Sequence, residues 1–242
     1  MKKLLLACLM TSFTAFAGAQ NIVYDFNAPA YSPGTIDGQQ GWVAANTATD
    51  RAQIVPDPDD PFGNQLLALQ GSRNPPAGDG KMNHFATGPF GGTPSWFSAD
   101  LWMAPEADPT DPAELFIQFN GWDNFVALKP TIDAIEIRRT PGENAPLLEG
   151  VSIPMEEWFN FRMEYAVSGG FATSAEIFIN GISVGTIANL ENIEIGAGTV
   201  IGLRSQNTLT YIDNIVIPEP STYALLLGAL ALAFVLYRRR TK

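Results

Sequence analysis

Seven stretches of this chain alternate apolar and polar residues with a period of two, the spacing of a β-strand that buries one face. They read SWFSADLWMA, ELFIQFN, IDAIEIRR, EWFNFRMEYAV, SAEIFING, VIGLRSQ and LTYIDNIVI. No stretch of ten or more residues carries a convincing amphipathic helical stripe. In FINGISV, Asn180-Gly181 separates two alternating runs, the strongest short-range signal for a two-residue hairpin. The proline- and aspartate-rich stretches PDPDDPFGN and APEADPTDPAE punctuate the pattern as loops. Many short strands over roughly 200 residues predict an all-β fold, a two-sheet antiparallel sandwich of jelly-roll type.

The two ends do not share this pattern. MKKLLLACLMTSFTAFAGA pairs a basic start at Lys2 and Lys3 with an apolar run, then a small-residue site at Ala17 and Ala19. That order predicts a signal peptide over residues 1–19, cleaved after Ala19. Cys8 is the only cysteine, so the mature chain has no disulfide and must be held by its core. At the other end, Tyr223 to Tyr237 carries no charge and is followed by Arg238, Arg239 and Arg240. As a helix this run spans about 22 Å, short of a hydrocarbon core of about 30 Å. Ser221, Thr222 and snorkelling arginine stems make up the difference, which predicts a single transmembrane helix over about 223–237. The arginines keep the C-terminus cytoplasmic and leave the domain outside.

Between the ends, residues 20–217 suffice for one domain with one core. The formal net charge of the whole chain is −11. Six of its fourteen basic residues sit in the two end segments, whereas Glu219 is the only acidic residue there. The domain is therefore more acidic than the chain. Such a surface repels nucleic acid, which is excluded as a partner.

Pro218-Glu219-Pro220, followed by a short apolar run and an arginine cluster, resembles the PEP-CTERM sorting signal of Gram-negative bacteria. Ile217 departs mildly from the valine that often precedes the tripeptide. The resemblance implies an exosortase as partner, which would remove the helix. The protein would then pass from the inner membrane to the cell surface or extracellular matrix. Physically, two prolines forbid helix continuation and present Glu219 on an extended segment beside the bilayer. The exported domain resembles concanavalin A-like, or laminin G-like, sandwiches through GTIDGQQGW, EEWFNFRMEYAV with AEIFINGISVG, and YIDNIVI. That resemblance implies that YIDNIVI closes the sheet beside the N-terminal NIVYDF.

Catalytic readings find little support. His84 is the only histidine, and no Gly-x-Ser-x-Gly elbow surrounds any serine. Glycosidases of the resembled fold carry Glu-x-Asp-x-x-Glu along one strand, because acid and nucleophile must flank one bond about 5 Å apart. The nearest string, Asp133 to Glu136, lacks the first glutamate and puts its two carboxylates on opposite strand faces. Hard oxygen ligands for Ca²⁺ are offered by Asp57, Asp59 and Asp60, or by Asp108, Asp111 and Glu114, without EF-hand spacing. No other cofactor is expected.

Alternation sorts the strand residues by face. Phe159, Phe161, Met163 and Tyr165 form a core set; Trp158, Asn160, Arg162 and Glu164 form the opposite face. If the polar faces line one sheet, it carries Trp102, Gln118, Asn120, Arg138, Trp158, Asn160 and Arg162. Aromatic faces beside amide and guanidinium donors suit a sugar ring, which stacks its C–H face and hydrogen-bonds its hydroxyls. The alternative is a solvated outer sheet with the tryptophans capping the core edge. The expected protein is thus a non-catalytic surface or matrix protein that binds or packs with exopolysaccharide. Two alternatives stand beside it: a polysaccharide lyase or glycoside hydrolase, and a structural envelope protein without a ligand.

Overall fold

The computed structural model describes residues 21–45, 51–60, 64–71, 84–89, 96–106, 112–119, 125–138, 147–168, 171–194 and 200–218. The expected signal peptide with Ala17 and Ala19, the run 223–237, Glu219, Pro220, Arg238, Arg239, Arg240, Asp108, Asp111 and Asn120 lie outside these residues. Among the described residues, no helix is long and apolar enough to cross a membrane.

Two antiparallel sheets make up the fold. The nine-stranded sheet runs β14 (Ile182–Glu194), β13 (Phe171–Ile179), β12 (Phe159–Ser168), β7 (Trp96–Met103), β16 (Leu209–Pro218), β5 (Gln65–Gln70), β4 (Ala52–Pro56) and β2 (Gly34–Thr35). Its ninth strand, β1 (Asn21–Tyr24), pairs with β16. The seven-stranded sheet runs β11 (Leu147–Glu149), β10 (Ala134–Arg138), β9 (Phe125–Lys129), β8 (Glu114–Phe119), β15 (Val200–Gln206), β6 (His84–Pro89) and β3 (Val43–Ala45). A 3-10 turn at Pro130–Ile132 sits between β9 and β10.

The core fills the space between the sheets. Phe97, Leu101, Met103, Phe161, Met163 and Ile212 enter from the larger sheet, and Leu115, Ile117, Val126, Leu128, Ile135 and Leu203 from the smaller. Period-two alternation puts each set on one face, and burial of large apolar side chains is the main stabilising term in a cysteine-free domain. The expected core face of 158–166 is the observed one: Phe159, Phe161 and Met163 are buried, while Asn160 and Arg162 are not.

Local chemistry sets the turns. Asn180 and Gly181 have φ of 52° and 75°, the two positive values of a type I′ turn, and join β13 to β14. Within GTIDGQQGW, Gln40 and Gly41 also take positive φ, so the chain folds back on itself. The Gln39 amide donates to the carbonyls of Ser32 and Thr35 at 2.9 and 2.7 Å. Its oxygen accepts the Ser32 N–H at 2.8 Å. The loop so tied sends Trp42 into the core, where its Nε1 donates to Tyr31 Oη at 3.0 Å. Burial pushes the Tyr31 phenol up to about 12.

β16 is the central seam of the larger sheet. β7 lies on one side, while β5 and β1 share the other end to end: β5 pairs residues 209–212 and β1 pairs residues 215–218. The return of YIDNIVI to the N-terminal strand is therefore observed. Between Asp213 and Val216 the β7 register slips, and Asn214 takes φ 47°. This bulge brings Asp213 and Asn214 to the same outer hollow, where simple alternation would separate them.

Candidate functional site

The polar strand faces do not line one sheet. Trp102 on β7 and Asn160 and Arg162 on β12 lie in the nine-stranded sheet, and Trp158 immediately precedes β12. Gln118 on β8 and Arg138 on β10 belong to the seven-stranded sheet. The expected single constellation is therefore divided, because alternation fixes a residue's face but not its sheet. The outer face of the smaller sheet is also less open than expected. Phe116 is buried beneath the Arg204 guanidinium, 4.7 Å from its ring. Lys129, itself buried, is ion-paired with Glu114 at 3.2 Å and with Glu136.

The larger sheet carries an open site. Two adjacent cross-strand rows build its outer face. In the first, Gln53, Ala68, Tyr211 and Trp102 stand opposite one another across β4, β5, β16 and β7. The rings of Trp102 and Tyr211 meet at 5.4 Å between centroids, tilted by 43°. In the second row, Asp213 faces Asp100, and Asp100 faces Asn160. Asn160, Asp100, Asp213 and Asn214, with Trp158 and Asn180, line a hollow of about 280 Å³. A second hollow of about 330 Å³ lies past Tyr211, along Arg51, Gln53 and Gln70.

Amide side chains organise the acids. Asn160 Nδ2 donates to Asp100 Oδ1 at 2.8 Å, and Asn214 Nδ2 donates to Asp100 Oδ2 at 3.0 Å. Asn214 also donates from Nδ2 to Asp213 Oδ2 at 3.3 Å and from its backbone to Asp213 Oδ1 at 2.8 Å. Asn180 belongs to the same frame: its Oδ1 accepts the Asn160 N–H at 2.9 Å, and its own N–H donates to the Asn160 carbonyl at 2.8 Å. Burial pushes the Asp213 carboxyl up to about 6, the Asn214 N–H opposes it, and the charges of Asp100, Asp25 and Asp57 add to the rise.

Of the Ca²⁺ candidates, Asp57, Asp59, Asp60 and Glu114 are among the described residues. Asp57 is buried at the rim of the acid hollow, and its Oδ1 accepts the Asp59 N–H at 2.8 Å. Asp59 and Asp60 are exposed. Among the described residues, no three histidine, cysteine or carboxylate side chains are grouped to hold a metal ion. Arg162 does not face the hollow as an open cation, since its guanidinium pairs with Glu164 and stacks on Trp96, 4.7 Å from the ring.

The end of β16 settles what the chain's C-terminal segment is, because its sequence matches a known family from Val216 onward. Residues 216–240 are a PEP-CTERM protein-sorting motif. The sorting motif thus begins within the last strand of the sandwich. No curated protein matches the chain. Solved structures share its fold at low identity. The conserved carbohydrate esterase of Shiga toxin-encoding bacteriophage phi24B superposes with a TM-score of 0.57 and 12% identity, covering 84% of this chain and 100% of that one. A Bacteroides ovatus mixed linkage glucan GH16 protein gives 0.53 and 11%, covering 81% and 99%. An endo-β-1,4-glucuronan lyase from the fungus Trichoderma reesei gives 0.51 and 10%, covering 78% and 94%. The common element is the fold, a two-sheet antiparallel sandwich of jelly-roll type, which here bears the sorting motif.

Sequence reasoning placed Trp102, Trp158 and Asn160 at this site and missed Tyr211, Asp100, Asp213, Asn214 and Asn180. Asp213-Asn214 lie in YIDNIVI, which forms the closing strand as expected. The bulge that turns both side chains to one hollow has no mark in the alternation.

Proposed function

We propose that this is an exported protein, held at the inner membrane by its sorting motif, processed by an exosortase, and binding polysaccharide at the cell surface or in the matrix. The binding site is the outer face of the nine-stranded sheet. One observation carries this reading: the Trp102–Tyr211 ring pair stands on the same face as the adjacent acid–amide hollow. Rings offer a stacking surface, and carboxylates held by amides keep lone pairs for hydroxyl protons. The hollow is lined by Asp57, Asp100 and Asp213 with no cation among its described lining residues, which favours neutral, hydroxyl-rich glycans over uronates, which would meet like charge.

Affinity electrophoresis of the secreted domain through gels of neutral glucans and of a polyuronate tests the reading. Retardation is expected in a neutral gel and not in the polyuronate. Trp102→Ala with Tyr211→Ala should weaken it by about tenfold or more, equivalent to about 1.4 kcal/mol. Unchanged retardation in the double variant would exclude this face. Silence across neutral and acidic polymers alike would favour a structural envelope protein.

Maturation is checked by intact mass. Surface-released protein should begin at Gln20 and end near Pro218-Glu219-Pro220. Chains that all still end in Arg238-Arg239-Arg240 and Lys242 would leave a plain anchor in place of a processed signal.

A further inference from the structure

The first three residues of the sorting motif belong to the folded sheet. Val216, Ile217 and Pro218 close β16, and β1 lies antiparallel on them, with Asn21 opposite Pro218, Ile22 opposite Ile217 and Val23 opposite Val216. On the other side of β16, Val216 still pairs with Ser98 of β7. Both edges of the strand are thus occupied at the start of the motif, and Ile217 is buried. Only Glu219 to Thr222 then separate the sheet from the apolar run at Tyr223, four residues that reach at most about 14 Å.

A peptidase that grips an extended substrate reads backbone edges on both sides of the bond it cuts. On the N-terminal side of this motif those edges are covered while β1 is docked. β1 is also a short strand held from one side. It has four residues, its one assigned partner strand is β16, and Val23 is 54% exposed. Short edge strands of this kind open at a fraction of the free energy of global unfolding.

We propose that β1 is a latch on the sorting signal: its pairing with Val216–Pro218 holds the start of the signal in the sheet, and the processing peptidase cleaves molecules in which that pairing has opened. The inference rests on the reading of the tail as a processed signal. The reaction is the cleavage of one peptide bond, in which the acyl carbon passes to water or an acceptor amine. The C-terminal piece leaves with a new amino terminus. When opening is fast relative to cutting, the rate follows the open population, so the stability of the β1–β16 pairing sets the rate of release.

Full-length protein with a C-terminal epitope, coexpressed with an exosortase in a Gram-negative host, provides the test by pulse–chase of epitope loss. Val23→Cys with Val216→Cys crosslinks a register pair, and Cys8, the one native cysteine, lies in the expected signal peptide. The crosslinked protein should lose the epitope at least about fivefold more slowly than either single-cysteine variant. Val23→Pro weakens the latch without touching the motif and should lose it about twofold faster than wild type. Equal rates for crosslinked and single-cysteine proteins overturn the latch. If no crosslink forms, a Val23→Pro rate no faster than wild type overturns it. Persistence of the epitope on wild type is a different result and removes the sorting reading itself.

Discussion

Asp100 and Asp213 face each other across β7 and β16, and a single amide nitrogen, Asn214 Nδ2, donates to both, at 3.0 and 3.3 Å. Two carboxylates in one hollow repel when both are ionised, and the pair is tolerable because amides donate to each and because Asp213 holds its proton to about pH 6.

That arrangement sets a pH dependence. The folded Asp213 titrates near 6 and an unperturbed aspartate near 3.8, so the folded state binds more protons between those values. Stability therefore falls as pH rises through this window and is level above it. Asp213→Asn keeps the shape and removes the charge. It should flatten the fall between about pH 4 and 6 and raise Tm at pH 7 by a few degrees. Thermal unfolding across that range checks it, and a mutant curve parallel to wild type would place the proton elsewhere.

Phe161 is fully buried between the sheets, and no disulfide shares its work. Phe161→Ala is expected to cost about 3–5 kcal/mol by lost transfer energy and residual cavity. Urea unfolding of the domain measures it; a cost below about 1 kcal/mol would contradict the packing of β12 on the core.

Gly71 lies against the turn between β15 and β16, where its N–H donates to the Thr208 carbonyl at 2.9 Å. A Cβ at this position would sit 2.8 Å from Asn207 N, Gln206 Cα and Ser205 C. These are backbone atoms and cannot swing aside. Gly71→Ala should destabilise by about 1–3 kcal/mol or more, visible as a lower urea midpoint with an unchanged slope. A midpoint equal to wild type would mean that the strand ends part more easily than this contact implies.

The strands and the hairpin were legible because their signals are local. Alternation in EWFNFRMEYAV sorts Phe161 inward and Arg162 outward from the sequence alone, and Asn180-Gly181 specifies a turn that needs two positive φ values. The sorting motif was legible for the same reason, since its parts follow one another along the chain.

The site was decided elsewhere. Asn160 and Asp100 are 60 residues apart and Asn214 and Asp100 are 114 apart, yet strand register makes them hydrogen-bonded neighbours. Register also sends Gln118 and Arg138 to the opposite sheet from Trp102 and Arg162, although all four obey the same alternation. A period of two states which side of its strand a residue occupies. Which strands become neighbours depends on how the whole core is filled, and a single bulge at Asp213-Asn214 can bring adjacent residues to one hollow. The sequence therefore determined the strands, the turn and the address, while packing of the two sheets decided which polar residues meet.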